Sequence, residues 1–290
     1  MGINGNVSKG VTGTYIIELI LAFIINTAAG SFLISLFIMP FLNVRGTTAD
    51  QISFGVSAVI VILLAVLSQS LTGWYKKLNG MEDAPLDVKN RIQHILTPII
   101  AKANIPMPTI SIMNVDYPNA CALGAQDIAV TIPILEMDDE ALSGILAHEV
   151  GHLRNFDSVK SIRVCTMNMV LMVFQRILGI LCWILKTLAK IKILGFLNFF
   201  AIFFSLVSLI FTLLQMIPEK IGLILSRQQE FHADAAAVEF GCGHDFIRGI
   251  SMLDDAEKPG FITRVKYFFS STHPPTYDRI NRVEKLLTNQ

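Results

Sequence analysis

The chain has 290 residues, 52% of them hydrophobic and 16% charged, with a mean hydropathy of +0.56, far more apolar than a soluble domain with about 25% charged residues. Its 23 basic and 23 acidic side chains give a formal net charge of zero, which removes the electrostatic basis for a nucleic-acid partner. The four cysteines, Cys121, Cys165, Cys182 and Cys242, contain no Cys-x-x-Cys pair, so neither a zinc knuckle nor a disulfide framework is indicated.

Four apolar stretches, beginning near Tyr15, Ile52, Cys165 and Ile193, each approach the roughly 20 residues needed to cross a hydrocarbon core of about 30 Å. Residues 15–43 and 52–74 are joined by a short turn containing Arg45, Gly46 and Asp50, which predicts a membrane hairpin within an N-terminal segment 1–75. The first stretch outruns a signal-peptide core of about 7 to 15 residues and leads into Met39-Pro40-Phe41 rather than a cleavage site; it reads as a retained anchor. Lys9 precedes the hairpin and Lys76 and Lys77 follow it, while the turn holds only Arg45, so both ends are expected in the cytoplasm. Glu18 fits a headgroup-level position better than a functional carboxylate inside the membrane.

In the next segment, 76–163, the apolar residues Val88, Ile92, Ile95, Leu96, Ile99 and Ile100 recur at helical spacing and predict an amphipathic helix over 86–103. His94 lies in it as a packing or solvent-facing residue. After the Ile105-Pro106-Met107-Pro108 turn, residues 109–115 and 128–134 read as short strands rich in β-branched residues. Between them the small-residue run Asn119-Ala120-Cys121-Ala122-Leu123-Gly124 suits a third strand with an accessible edge, or an ordinary tight connection. The fold class expected is mainly α with a small β-sheet.

Chemistry first emerges at residues 138–152. Asp138, Asp139 and Glu140 open a helix, and Leu142, Ile145, Leu146 and Val150 give it an apolar face. On that helix His148 and His152 stand at i and i+4, so both imidazoles leave one side and can share a Zn²⁺, with Glu149 one residue around, within reach of an attacking water. Two histidines facing a core without a partner would be costly to bury.

A second hairpin occupies 164–218, with stretches over 165–185 and 193–217. Its turn carries Lys186, Lys190 and Lys192, which charge bias assigns to the cytoplasm although a crossing hairpin that starts there must expose the turn on the far side. Gln175 and Arg176 in mid-stretch add a cost in lipid of about 2.5 to 3.5 kcal/mol for the arginine. Either both stretches cross or neither does, because the polar pieces on the two sides must share a compartment.

A catalytic zinc takes three protein ligands, and Asn155 and Ser158 stand where a metzincin needs Gly and His. The third ligand must therefore come from the closing segment 219–290, where Glu219, Glu230, His232, Asp234 and Glu239 are available. Glu230 and Asp234 share a face of a helical stretch over 227–240, whereas His232 projects about 200° from Glu230. Glu230 as ligand, with Asp234 accepting from a zinc-binding imidazole N–H, is the economical arrangement. Ala233, Ala235, Ala236 and Ala237 suit close helix packing around them.

Three ordered motifs now stand in the chain: His148-Glu149-x-x-His152; Arg227-Gln228-Gln229-Glu230-Phe231-x-Ala233-Asp234-x-x-Ala237; and His273-Pro274-Pro275-x-x-x-Arg279-Ile280. Together they resemble the HtpX-type membrane metalloproteases, which are similar to the Ste24 CaaX proteases and the mitochondrial Oma1 protease. The resemblance covers nearly the whole chain, both hairpins included. It implies a gluzincin-like zinc protease domain holding one Zn²⁺ per chain, in the bacterial inner membrane with its active site facing the cytoplasm. It also implies that His273 and Arg279 line the active site and that the strand carrying Asn119, Ala120, Cys121, Ala122 and Gly124 binds the substrate backbone. Main-chain recognition of this kind suits broad specificity, hence removal of damaged or misassembled membrane proteins under stress, with protein substrates and the lipid bilayer as partners. The alternatives are a dedicated processing protease of the CaaX type and a membrane adaptor whose metal site is structural.

Overall fold

The computed structural model describes residues 2–253 and 273–289; the 254–272 part of the closing segment lies outside the described residues. Helix α1 (Gly2–Leu33) widens into a π turn at Ile34–Ile38, and α2 (Gly46–Leu67) leads through a 3-10 turn at Ser68–Leu71 into α3 (Thr72–Leu78). After β1 (Glu82–Asp83) come α4 (Leu86–Ala103), β2 (Thr109–Met113), β3 (Ala120–Leu123) and β4 (Asp127–Thr131). The remaining helices are α5 (Asp139–Arg154), α6 (Asp157–Leu188), α7 (Leu197–Glu239), α8 (Gly243–Leu253) and α9 (Thr276–Thr288). The chain forms two compact units: one from residues 1–13, 69–162 and 223–290, the other from 14–68 and 163–222.

The first unit is built on a four-stranded sheet in the order β1-β2-β4-β3, with β2 and β4 parallel and the two outer pairs antiparallel. Its core joins Ile92, Leu96 and Ile99 of α4 to Ile128 and Val130 of β4, Leu142, Leu146 and Val150 of α5, and Phe246 of α8. The helix over 86–103 has the bounds that its periodicity predicts, closed by Asn104 in the left-handed region (φ 54°). The strand predicted over 128–134 ends at Thr131, because Pro133 has no N–H for a ladder and opens a 3-10 turn, Pro133–Glu136.

Helix α5 starts at Asp138, whose carboxylate accepts from the Ala141 N–H at 2.9 Å, a standard N-terminal cap. That bond holds the Asp138 carboxyl below its usual range. The helix then crosses α8 with almost no space between backbones. A Cβ on Gly144 would stand 2.1 Å from the Phe246 nitrogen, and one on Gly249 2.5 Å from the Ala141 carbonyl oxygen. Glycine is required at both positions by this approach.

The second unit is apolar. Among the described residues four helical segments are long and apolar enough to cross a membrane, Val11–Ile38, Gly46–Leu78, Asp157–Leu188 and Leu197–Glu239. Helix α7 does not stop where the fourth apolar stretch ends but runs 43 residues through Pro218; a proline deletes one backbone donor, which a long helix tolerates when its neighbours hold it. Inside the unit Asn26 donates to the Ala22 carbonyl (2.7 Å) and to Asn168 Oδ1 (2.8 Å), and its own Oδ1 accepts from the Leu171 N–H (3.0 Å). Such a satisfied amide joins helices where water is absent. Ile25, Ala29, Leu171, Phe174 and Leu178 pack around it. Glu18 places its carboxylate against Gly222, where a Cβ would meet Oε1 at 2.5 Å, so it is packed between helices. Arg176 is exposed on α6.

Candidate metal centre

Helices α5 and α7 are brought together by small residues: a Cβ on Gly151 would lie 2.9 Å from Ala233 Cα and 3.0 Å from Ala236 Cβ. This contact sets Glu230, one turn before Asp234 on α7, opposite the two histidines of α5. The Nε2 atoms of His148 and His152 are 3.2 Å apart, Glu230 Oε1 is 3.4 Å from His152 Nε2, and Glu230 Oε2 is 3.6 Å from His148 Nε2. His148 and Glu230 are buried and His152 nearly so. No other group of three His, Cys, Asp or Glu side chains among the described residues converges in this way.

The opposite edges of both rings are held. Asp234 Oδ1 lies 2.9 Å from His148 Nδ1, and Asp157 Oδ2 lies 3.1 Å from His152 Nδ1. Each carboxylate fixes its imidazole with Nε2 turned to the shared point, the arrangement that aims metal-binding histidines. Burial alone would lower the His152 pKa, but the Asp157 and Glu230 carboxylates carry it up to about 10. Two imidazoles and one carboxylate are a donor set that could hold a metal ion; it fits zinc and suits harder cations poorly.

Around the donors, Arg279 of α9 grips Asp234 with two bonds, Nε to Oδ2 at 3.0 Å and Nη2 to Oδ1 at 2.6 Å, and its Nη2 is 3.3 Å from Glu230 Oε2. His273 is exposed, yet its Nδ1 is 3.0 Å from Glu230 Oε2, a contact that raises its pKa. Glu149 is buried, and its Oε2 accepts from the Ala122 N–H of β3 at 2.6 Å. All the residues singled out for the site in the three motifs thus meet at one place. His232 is not among the converging donors.

The five residues expected on the substrate strand divide by register. Asn119 exchanges bonds with Thr131 of the neighbouring strand, and Cys121 pairs with Ala129 two residues on. By antiparallel alternation the N–H and C=O of Ala120 and Ala122 then face the outer edge. Ala122 is engaged there, its N–H by Glu149 and its C=O by Ser158 Oγ at 2.6 Å. Gly124 ends the strand in the left-handed region (φ 58°) against Thr72. Burial and Glu149 push the Cys121 thiol up to about 12, which makes it a poor nucleophile.

Two residues escape the sequence reading. Asp157 follows a chain reversal at Phe156 (φ 56°), so no continuation of the α5 pattern points to it; an acid at the start of the next helix is the only signal. Phe246 arrives from α8, where its ring stacks on His148 at 5.4 Å and lies 5.2 Å from the Arg279 guanidinium carbon. Asp157→Ala is expected to weaken zinc binding by about 10- to 100-fold, read by competition with a chelating dye. An unchanged affinity would deny Asp157 any part in aiming His152.

With this geometry in place, comparison with known proteins shows what the chain is similar to. The sequence profile described as peptidase family M48 matches residues 87–287. A protease HtpX homolog of Streptococcus gordonii is 28% identical over 256 residues, spanning 78% of this chain and 83% of that protein. A protease HtpX homolog of Streptococcus pyogenes serotype M5 is 31% identical over 217 residues, spanning 67% and 72%. The crystal structure of S. mikatae Ste24p aligns with 93% of this chain and 66% of that one, with a TM-score of 0.48 and 15% identity.

Proposed function

The chain belongs to peptidase family M48 as an HtpX-type multi-pass membrane metallopeptidase, and from that premise we propose that it is a zinc-dependent endopeptidase of the bacterial inner membrane that cleaves misfolded or damaged membrane proteins on the cytoplasmic side. The observation that carries the reading is the meeting of His148, His152 and Glu230 donor atoms within 3.2 to 3.6 Å of one another, beside a buried Glu149. In this reading segments 76–163 and 219–290 make one catalytic domain, and 1–75 and 164–218 are the membrane hairpins.

His148, His152 and Glu230 would hold one zinc ion, which when bound acidifies water and polarises a carbonyl. Glu149 takes the proton of the attacking water and returns it to the leaving amine. Its position is fixed by the Ala122 N–H, so its remaining oxygen carries the proton. His273 and Arg279 offer positive charge next to Glu230 and support the oxyanion as it develops. The Ala120 N–H and C=O on the outer edge of β3 are the main-chain groups left for an extended substrate, which joins the sheet as a further strand. Such recognition reads backbone shape and not side chains, which suits quality control.

Removing the metal with a chelator is expected to abolish hydrolysis of an unfolded membrane protein by the full-length enzyme in detergent, and stoichiometric zinc to restore it. Activity that survives exhaustive chelation sinks the proposal. A peptide library with one sharply preferred cleavage site would favour a dedicated processing protease instead.

A further inference from the structure

The second unit contains a cavity of about 490 Å³ whose walls include Gly30, Ile34 and Ile38 from α1 and its π turn, Ile60 from α2, and Val173 and Ile177 from α6. Ser57 is the one polar side chain in the lining, and its hydroxyl already donates to the Thr27 carbonyl at 2.9 Å. A space without free polar partners does not retain ordered water. In a membrane-spanning unit the material at hand to fill it is an acyl chain.

Arg176 lies on α6 between the wall residues Val173 and Ile177. It lies seven residues from Met169, another wall residue, which places the two within about 20° on the helix. It is exposed and, among the described residues, has no ion-pair partner. An unpaired arginine is costly in lipid and calls for an anion. Residues 158–218, which hold both helical stretches of its hairpin, contain no Asp or Glu. Onward from Arg176 come Trp183, 68% exposed and of the type that marks a membrane interface, and then Lys186, Lys190 and Lys192, all exposed.

Helices α1 and α6 run in the same direction here: Asn26 meets Asn168, and Phe32 meets Phe174 with ring centroids 5.9 Å apart. The Ile34–Ile38 end of the cavity is therefore the end toward the basic residues. We propose that the cavity and Arg176 form a binding site for one anionic glycerophospholipid, with an acyl chain in the cavity and the phosphate on Arg176. Lys186, Lys190 and Lys192 favour a headgroup without a compensating cation.

The test uses the full-length chain in mixed micelles containing either dioleoylphosphatidylglycerol or dioleoylphosphatidylcholine, with retained lipid counted by native mass spectrometry. One phosphatidylglycerol per chain is expected to be held in preference to phosphatidylcholine. Arg176→Gln is expected to lower phosphatidylglycerol retention roughly fivefold, the worth of one basic side chain at an anionic surface, while Arg176→Lys keeps most of it. Val173→Phe, which narrows the cavity, is expected to reduce retention of both lipids. Equal retention of the two lipids by the unsubstituted chain, or no change in Arg176→Gln, overturns the headgroup assignment. Unchanged retention in a Val173→Phe chain whose melting curve is intact overturns the acyl-chain assignment.

Discussion

Glu149→Gln is expected to lower the rate of peptide hydrolysis by about 10²- to 10⁴-fold, the usual worth of a positioned general base, without loss of zinc. Glutamine matches the volume of the buried carboxylate, and its carbonyl oxygen can still accept from the Ala122 N–H that Glu149 Oε2 now engages at 2.6 Å. What it lacks is an oxygen able to take and return a proton. The defect should therefore fall on kcat, with the metal stoichiometry of the pure protein unchanged by elemental mass spectrometry. Turnover near the native rate in a zinc-replete variant would remove Glu149 from its role. The same variant, inactive but folded, should retain uncleaved proteins on isolation from cells, and their identity would narrow the substrate class further than the chain itself can.

The second large effect is expected at Glu230. Glu230→Ala removes one of the three proposed donors and leaves two imidazoles, so zinc binding should weaken by more than the roughly 10- to 100-fold typical of a residue that only supports a ligand, and hydrolysis should disappear with it. The carboxylate is also the meeting point of His148, His152, His273 and Arg279. Deleting it leaves the positive charge gathered there to Asp234, on Arg279 and His148, and to Asp157, on His152, and the fold should lose stability as well. Glu230→Gln separates these effects: it keeps the shape, still donates one oxygen, and should lose metal affinity with less loss of stability. Native zinc content together with native activity in Glu230→Ala would disprove the tripartite site.

Much of this site could be read from the chain because helical periodicity is a strong constraint. His148 and His152 four residues apart, and Glu230 and Asp234 four residues apart, must each share a face, and the structure turns those faces toward each other. The amphipathic pattern over 86–103 likewise had only one regular structure that could bury Ile92, Leu96 and Ile99 together. What escaped were contacts created by chain reversals and tertiary approach. Asp157 reaches His152 only because Phe156 turns the backbone through the left-handed region. Phe246 reaches His148 only because Gly144 and Gly249 let α8 lie directly on α5. The small-residue run 119–124 suits a strand with an accessible edge, but which of its residues face outward depends on register with β4, which composition does not reveal. The depth of the second hairpin follows the same logic: Arg176 conflicts with a simple lipid-facing helix, and the sequence alone offers no counter-ion to resolve it.

The bond from Ala122 to Glu149 ties two tasks to a single peptide plane. On the proposed reading, a polypeptide that lies along β3 leans on the backbone segment that aims the proton acceptor. A guest seated askew would pull that acceptor off line even while remaining attached. Discrimination among clients would then be written in how fast they are cut, with little trace in how tightly they are held.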